Sequence, residues 1–283
     1  MTVSSALRRA EHRLREAGIE AAAADAEVIL RHVLAWDRAA VIARGSDRLP
    51  EAEEGRFFAL VEERAARRPL QHVTGTQAFW RHEFLVTPDV LIPRPETEIL
   101  VEAALESIRG RPAPIVVDVG TGSGCVALSI AAERPDAVVY AIDTSPTALA
   151  VARENVRRLG LEGRVEMRQG DLLAPVVGLQ GQVDLVASNP PYVDPGELPG
   201  LAPEVRDHEP RTALLAAEPA YGIYRRIARE ARGVLRPGGH LLVEVGAGMA
   251  ETVAQAFREV GLAEVGTRPD LAGISRVVSG RRA

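Results

Sequence analysis

Apolar residues recur in two rhythms along this chain of 283 residues. Up to about residue 68 they are spaced three and four apart, which is the period of an amphipathic helix. From residue 115 onwards, short apolar runs of strand length alternate with stretches that keep the helical period. Such alternation is typical of a mostly parallel sheet with helices on both faces. The pattern therefore predicts a helical N-terminal part followed by an α/β part.

The N-terminal part is predicted to be a small module of four or five helices. Ser4 and Ser5 can cap the first helix, and Gly18 can end it. The last long helix of the module is expected to begin at Pro50, since proline is tolerated in the first turn of a helix. We interpret residues 1–70 as a helical domain of its own.

The next segment, residues 71–94, is predicted to form a β-hairpin linker. The runs His72-Val73-Thr74 and Phe84-Leu85-Val86 have the composition of short strands. The prolines that follow residue 92 interrupt the chain before the next helix begins.

Residues 95–283 are predicted to form one α/β domain. After a helix at about 96–108, strands are predicted at 115–119, 138–142, 164–168, 183–188, 240–246, 264–268 and 275–280, and helices at about 123–133, 146–159, 222–235 and 249–260. No helix separates the last two strands, so we expect them to pair antiparallel. The expected fold class is α/β, with a seven-stranded, mostly parallel, doubly wound sheet.

A glycine-rich turn follows the first strand of this domain. The strand runs into Gly120-Thr121-Gly122-Ser123-Gly124, where glycines let the backbone approach a ligand and adopt positive φ. A dinucleotide fingerprint needs Gly-x-Gly-x-x-Gly, whereas the third glycine here comes one residue early. The spacing favours the loop that holds the methionine part of S-adenosylmethionine. Asp118 precedes the loop, where its carboxylate can meet the cationic amino group of that ligand.

Acidic residues also follow the next two strands. Asp143 ends the second strand about 20 residues after the loop, where a carboxylate can accept hydrogen bonds from ribose hydroxyls. Asp171 follows the third strand and could accept from the adenine amino group, with Leu172 lining the adenine face. The alternative for Asp171 is a solvated loop carboxylate. Together with the loop, these residues predict a site for S-adenosylmethionine.

The fourth strand ends in Asn189-Pro190-Pro191-Tyr192, which is the strongest functional signal in the sequence. Two prolines at the end of an interior strand are unusual for packing alone, because proline removes a donor from the sheet. The Asn189 side-chain oxygen and the Pro190 carbonyl can both accept from one NH₂ group, and Tyr192 can supply a flat aromatic wall.

Two fixed acceptors orient a planar NH₂ group and stabilise the positive charge that develops on its nitrogen during methyl transfer. The tetrapeptide therefore predicts methylation of an amide or amine nitrogen. Asn189, Pro190 and Tyr192 are the predicted catalytic residues, and with Pro191 they form the predicted substrate site. Asn189 is also expected to contact the cofactor. The motif does not identify the substrate, because adenine-N6 DNA methyltransferases carry a similar one.

The composition of the chain argues against several classes of partner and site. The formal net charge is −5, whereas tight nucleic-acid binders usually show a net basic domain or stripe. Cys125 is the single cysteine and the six histidines have no metal-ligand spacing, so neither a disulfide within the chain nor a metal site is expected. Arginines and glutamates interrupt any apolar run near the N-terminus, and no stretch reaches the ~20 apolar residues of a membrane helix. We expect a cytoplasmic protein with no membrane contact and no direct nucleic-acid partner.

These motifs occur together in one family, because the chain resembles the release factor glutamine methyltransferases (HemK/PrmC) over nearly its full length. The resemblance is carried by Thr74-Gly75 before Phe79-Trp80, by Leu91-Ile92-Pro93-Arg94-Pro95-Glu96-Thr97-Glu98, by Asp118 to Gly124, by Asn189 to Tyr192 and by His208-Glu209-Pro210. It implies a class I S-adenosylmethionine-dependent methyltransferase fold with a small N-terminal helical domain that helps to grip the release factor.

The resemblance also implies a substrate, namely the glutamine of the Gly-Gly-Gln loop in peptide chain release factors, methylated on its side-chain nitrogen N5. A sister family that methylates a glutamine of ribosomal protein L3 reads more like Pro-Arg-Ser-Pro where this chain has Pro93-Arg94-Pro95-Glu96. Release factors are therefore favoured.

A DNA adenine methyltransferase is a further alternative, disfavoured by the lack of basic excess and of a base-reading domain. A sensor that only binds S-adenosylmethionine would not need the tetrapeptide. The segment around His208-Glu209-Pro210 is either a loop that closes over substrate or a structural turn.

Overall fold

The computed structural model describes residues 1–216 and 221–283, which fall into two compact units. Unit 1 contains Met1–Thr76 and Leu201–His208. Unit 2 contains Gln77–Gly200 and Glu209–Ala283. The chain therefore contributes a short segment to unit 1 after residue 200 and resumes unit 2 at Glu209.

The bounds of the elements follow in chain order. The helices are α1 (Val3–Glu16), α2 (Ala22–Leu34), α3 (Arg38–Ala43), α4 (Glu51–Ala65), α5 (Leu70–Thr74), α6 (Glu98–Ser107), α7 (Cys125–Glu133), α8 (Pro146–Arg158), α9 (Pro203–His208), α10 (Arg211–Leu214), α11 (Tyr221–Val234) and α12 (Ala250–Glu259). The strands are β1 (Thr76–Phe79), β2 (His82–Leu85), β3 (Ile115–Val119), β4 (Val138–Asp143), β5 (Val165–Gln169), β6 (Val183–Ser188), β7 (Leu235–Glu244), β8 (Leu262–Pro269) and β9 (Ser275–Arg282). Short 3₁₀ helices lie at Pro95–Thr97, Ala174–Leu179 and Leu198–Gly200.

Unit 1 is a helical bundle with a core between α1, α2 and α4. The cap of α1 is Thr2, whose hydroxyl accepts from the backbone N–H of Ser5. The predicted caps Ser4 and Ser5 instead lie in the first turn, because the helix already begins at Val3; that prediction is wrong. Gly18 follows the end of α1 with a φ of +74°, as a helix-ending glycine should.

A buried ion network attaches α9 to this bundle. Arg64 of α4 donates to Asp25 at 2.8 Å and to Glu204 of α9 at 2.9 Å. Arg67 donates to the second oxygen of Glu204 at 2.8 Å. The side chains of Arg64 and Asp25 are each only 10% exposed, and a buried charge is costly unless it is paired. The network therefore fixes α9 as part of unit 1.

The segment before the strand pair β1–β2 is helical, so the predicted strand His72-Val73-Thr74 is wrong. These residues lie in α5, which starts after Pro69 and ends at Gly75 with a φ of +77°. A proline before the first turn and a left-handed glycine after the last turn are helix signals, and they outweigh the β-branched composition of the run. The strand predicted at Phe84-Leu85 is confirmed as part of β2.

The seven-stranded sheet has the order β5-β4-β3-β6-β7-β9-β8. Its first five strands pair parallel, whereas β9 pairs antiparallel with both β7 and β8. The predicted mostly parallel sheet and the antiparallel pairing of its last two strands are confirmed. The strand order changes direction between β3 and β6, and a ligand crevice is expected beyond the carboxyl ends of strands at such a switch point.

Two apolar clusters cover the two faces of this sheet. One contains Leu100 of α6 and Leu128 of α7, and the other contains Tyr224 of α11 and Phe257 of α12. Helices on both faces explain why the central strands are continuous apolar runs, since neither face of them meets water. β6 illustrates this, because all six of its residues are buried.

Within residues 1–216 and 221–283, no helix has the length and apolar content to cross a membrane. The same residues contain no group of three or more histidine, cysteine, aspartate or glutamate side chains arranged to hold a metal ion.

Candidate active site

A cavity opens at the carboxyl edge of the sheet, around the switch point between β3 and β6. Its empty space, including the open mouth, is about 1170 Å³. Among the predicted site residues, those that line it are Asp118, Gly120, Thr121, Gly122, Ser123, Asp143, Asp171, Leu172, Asn189, Pro190 and Pro191.

The glycine loop owes its shape to backbone that only glycine adopts readily. Gly122 has a φ of +56° and open space where a Cβ would lie, so glycine is needed there for its backbone conformation. Gly124 has a φ of +85°, and a Cβ on it would lie 3.1 Å from Leu128 Cδ1. Gly124 is absent from the described lining of the cavity and is required for close packing of the loop onto α7 and α8 instead.

Asp118 is a buried acid at the floor of the cavity. It is 1% exposed, and its Oδ2 accepts from Thr121 Oγ1 at 2.6 Å and from the Ala127 backbone N–H at 3.2 Å. Burial raises the pKa of Asp118 to about 6, although these two hydrogen bonds oppose the shift. At neutral pH the group is therefore mostly ionised in a poorly solvated place, where a cationic ligand group would stabilise it.

Asp143 is held rigidly at the edge of the cavity. Its Oδ2 accepts from the backbone N–H of Gly122 and its Oδ1 from that of Ser145, both at 2.9 Å. A carboxylate oxygen has room for a second donor, so each oxygen keeps capacity for a ligand hydroxyl. The geometry suits the predicted ribose contact, which itself stays a prediction.

Asp171 is placed differently from Asp143. Its side chain is 59% exposed, and its Oδ2 lies 2.5 Å from Arg226 NH2. Leu172 beside it is buried and lines the cavity. This environment fits the solvated loop carboxylate at least as well as an adenine contact for Asp171. The role of Leu172 against a flat ring stays a prediction.

The tetrapeptide begins where β6 ends. Ser188 is tied to β3 by a 2.8 Å hydrogen bond from its hydroxyl to the Val119 carbonyl. Asn189 Nδ2 donates to Thr97 Oγ1 at 3.2 Å. Asn189, Pro190 and Pro191 line the cavity beside the glycine loop. Residues that are far apart in sequence thus meet because β3 and β6 are neighbours.

Tyr192 is not among the described residues that line the cavity. Its ring packs against Gly246, where a Cβ would lie 3.1 Å from Tyr192 Cδ2 and 3.0 Å from Met249 Sδ. Burial raises the pKa of its hydroxyl. Its predicted role as an aromatic wall stays a prediction.

Thr97 and Glu244 were not among the predicted site residues. Thr97 ends a 3₁₀ helix and is 2% exposed, and Glu244 ends β7 and is 3% exposed. Burial raises the pKa of Glu244 to about 7, while hydrogen bonding from Thr97 and Asn189 acts in the opposite direction. The sequence signal for Glu244 was a single acid that ends the apolar run Leu241-Leu242-Val243.

Glu209 ties together two segments that border the cavity. Its Oε1 lies 2.5 Å from Arg94 NH2, and its Oε2 accepts from the backbone N–H of Ile92 at 3.2 Å. The Glu209 side chain is 1% exposed. Arg94, Thr212 and Ala213 line the cavity. Glu209 therefore connects the two chain segments that border the cavity, one around Arg94 and one around Thr212. This arrangement supports the structural turn among the two alternatives for the segment.

Comparison with known proteins covers nearly the whole chain. The family model described as the PrmC N-terminal domain matches residues 5–75, and the model described as the methyltransferase small domain matches residues 95–201. A release factor glutamine methyltransferase of Cereibacter sphaeroides is 47% identical over 281 residues, 99% of each chain. One of Moorella thermoacetica is 44% identical over 277 residues, 98% of this chain and 97% of that one.

Among solved structures, a methyltransferase from Pyrococcus furiosus has a TM-score of 0.54 at 16% identity, over 73% of this chain and 91% of that one. At this identity the likeness concerns the fold alone.

Proposed function

Because the chain belongs to the release factor glutamine methyltransferase family, we propose that it methylates the side-chain amide nitrogen N5 of the glutamine in the Gly-Gly-Gln loop of peptide chain release factors. S-adenosylmethionine is the methyl donor and supplies an electrophilic methyl group on its sulfonium sulfur. One observation carries the proposal: Asn189 and Pro190, which have the two acceptor oxygens, line the same cavity as the glycine loop and Asp143. Release factors act in translation, so the proposed location is the cytoplasm.

The residues present fit this cofactor. Asp118 offers a buried negative charge, which suits a cationic amino group, and the turn through Gly122 brings backbone to the cavity wall. The rigid carboxylate of Asp143 suits ribose hydroxyls. Thr121, Leu172 and the edge carboxylate Asp171 complete the proposed cofactor site.

Methyl transfer to an amide needs help, since the nitrogen lone pair is delocalised into the carbonyl group. We propose that Asn189 Oδ1 and the Pro190 carbonyl each accept one N–H of the substrate NH₂ group and turn its nitrogen towards the methyl group. Pro190 and Pro191 have no N–H that would compete. The N–C bond would form as the bond between the methyl carbon and the sulfonium sulfur breaks, which would leave S-adenosylhomocysteine as a neutral thioether. The positive charge would then lie on the nitrogen, where the two acceptors would stabilise it until one proton passes to water. Fixed orientation adds the advantage of proximity.

Unit 1 is assigned to recognition of the release factor. The residues that line the described cavity all belong to unit 2, so unit 1 contributes no group to the proposed chemistry. Its helical domain, which we drew at residues 1–70, then serves to hold a protein substrate whose reactive loop enters the cavity.

The test is methylation of purified release factor with labelled S-adenosylmethionine, followed by peptide mapping. We expect one label, on the glutamine of the Gly-Gly-Gln loop, and none when that glutamine is replaced by alanine. Ribosomal protein L3 and adenine-containing DNA serve as competing substrates in parallel reactions. Label on either of these and none on the release factor would refute the proposal.

A further inference from the structure

A buried polar cluster lies directly behind Asn189 and has no part in the function as described so far. Ser188 and Val243 are paired in the parallel ladder of β6 and β7, so the residues that follow them, Asn189 and Glu244, lie side by side at the carboxyl ends of the two strands. Thr97 reaches the same place from its 3₁₀ helix, with its hydroxyl 3.2 Å from Asn189 Nδ2. Thr97 lines the cavity, whereas Glu244 is not among its described lining.

The hydrogen-bonding capacity of Asn189 explains what this cluster can do. A primary amide has two N–H donors on its nitrogen and an acceptor oxygen. Thr97 Oγ1 accepts one of these donors at 3.2 Å. The register of β6 and β7 places the Glu244 carboxyl beside Asn189, where it can accept the second donor. With both donors used in this way, Oδ1 is the group that Asn189 can offer to the cavity.

We propose that Glu244 is a positioning residue for methyl transfer, which together with Thr97 holds the two N–H groups of Asn189 and keeps Oδ1 turned towards the substrate amide. The inference rests on the proposed function. If the Asn189 amide rotated by half a turn, Oδ1 would face a carboxylate and its NH₂ would face the NH₂ of the substrate. Both contacts would be repulsive, so the buried carboxylate selects the productive orientation.

The burial of Glu244 gives the inference a second support. Its Oε2 has no hydrogen-bond partner among the residues that the structure describes. A buried acid with incomplete hydrogen bonding lowers stability, so its presence beside Asn189 calls for a functional reason. Tyr224 does not relieve this, because its hydroxyl donates to the backbone carbonyl of Glu244 at 3.1 Å.

Ionisation of Glu244 should then be visible in the reaction. Its pKa is raised to about 7, chiefly by burial and also by the charge of Glu96, whereas Arg276 acts in the opposite direction. Tyr192, Tyr224 and Cys125 also interact electrostatically with Glu244, and their pKa values are raised above the ordinary ones, mainly by burial. Only the ionised carboxylate is purely an acceptor. The rate of methyl transfer should therefore rise as pH increases through about 7 and level off above it.

The experiment measures single-turnover methyl transfer to release factor at saturating cofactor and substrate, between pH 5.5 and 8.5. We expect Glu244→Gln to lower the rate about 10- to 100-fold, the range seen when an outer partner of a catalytic group is removed, and to abolish the rise near pH 7. Affinity for S-adenosylmethionine and KM for release factor should stay within about threefold of the wild-type values. A threefold change corresponds to about 0.7 kcal/mol. Thr97→Val should also lower the rate, and Thr97→Ser should restore it.

Asp184 provides the matched control. It is a buried acid on β6, 5% exposed, bound to Arg111, Arg236 and the Ile115 backbone N–H. Asp184→Asn should lower the melting temperature and leave the rate and its pH dependence unchanged. A Glu244→Gln enzyme with a rate within threefold of wild type and the same pH profile would overturn the inference.

If Glu244→Gln does not fold, the two Thr97 variants test the inference instead. Equal rates for Thr97→Val and Thr97→Ser would overturn it. The wild-type protein separates the two proposals. No methylation of release factor by wild type would refute the proposed function, whereas normal wild-type activity with unaffected variants would refute only the role of Glu244.

Discussion

Replacing Asn189 by alanine removes one of the two acceptors that we propose to orient the substrate NH₂ group. The Pro190 carbonyl remains, because it belongs to the backbone, and so does the glycine loop across the cavity. Deleting one preorganised polar contact to a transition state typically costs about 10²–10³ in rate, or about 2.7–4 kcal/mol. We expect Asn189→Ala to fall in that range.

Asn189→Asp is a sharper perturbation of the same position. It keeps an acceptor but introduces a carboxyl beside Glu244, whose pKa burial already raises to about 7. Two carboxyls in one buried site cannot both ionise readily and come to share a proton. The new group would then donate as well as accept, so we expect a loss of at least about tenfold at neutral pH.

The assay is single-turnover methyl transfer at saturating cofactor, which separates the chemical step from binding. Asn155 offers a matched control, because it is a fully buried asparagine whose Nδ2 donates to the carbonyls of Leu85 and Ser123 at 3.0 and 2.9 Å. Asn155→Ala should lower stability and cofactor affinity, yet leave the saturated rate within about threefold. A loss below tenfold for Asn189→Ala would mean that another acceptor orients the substrate, and the account of the tetrapeptide would have to be abandoned.

Three further predictions concern the cofactor site in unit 2, the recognition role of the N-terminal helices and the ion network of unit 1. Asp143→Ala should weaken cofactor binding by about 1–3 kcal/mol, the cost of leaving buried polar groups unpaired; unchanged affinity in calorimetry, relative to the exposed control Asp136→Ala, would remove Asp143 from the site. A chain that starts at Gln77 should still bind cofactor but methylate whole release factor more slowly, and a full rate would exclude recognition by residues 1–76. Arg64→Met should lower the free energy of unfolding by about 3–5 kcal/mol, because it leaves the buried carboxylate of Asp25 unpaired and removes one of the two arginines that bind Glu204. A loss under 1 kcal/mol in urea denaturation would contradict the ion network.

The sequence predicted the sheet well, because its central strands are buried on both faces and therefore read as apolar runs. It misled at residues 72–74, where a β-branched run lies between the helix signals of Pro69 and Gly75. It misled again at the start of α1, where Thr2 rather than a serine caps the helix. Both errors concern where a helix begins or ends. The residues within a short run do not determine this, because a single flanking residue, such as a cap or a helix-ending glycine, can decide it.

The glycine loop and the tetrapeptide were predictable because each is a short run of unusual residues. Glu244 was not, since an acid at the end of a strand is common and its neighbours are separated from it by more than 50 residues of chain. Its meaning depends on the register of β6 against β7, which sets Asn189 beside it, and on Thr97 arriving from another part of the chain. A residue that acts by holding a catalytic side chain needs no sequence motif of its own, because it only has to be correctly positioned in the folded chain. The same reasoning applies to Glu209, whose contacts with Arg94 and Ile92 hold the rim of the cavity. Short motifs thus identified residues that line the cavity, while the packing of the sheet determines which buried acids lie beside them.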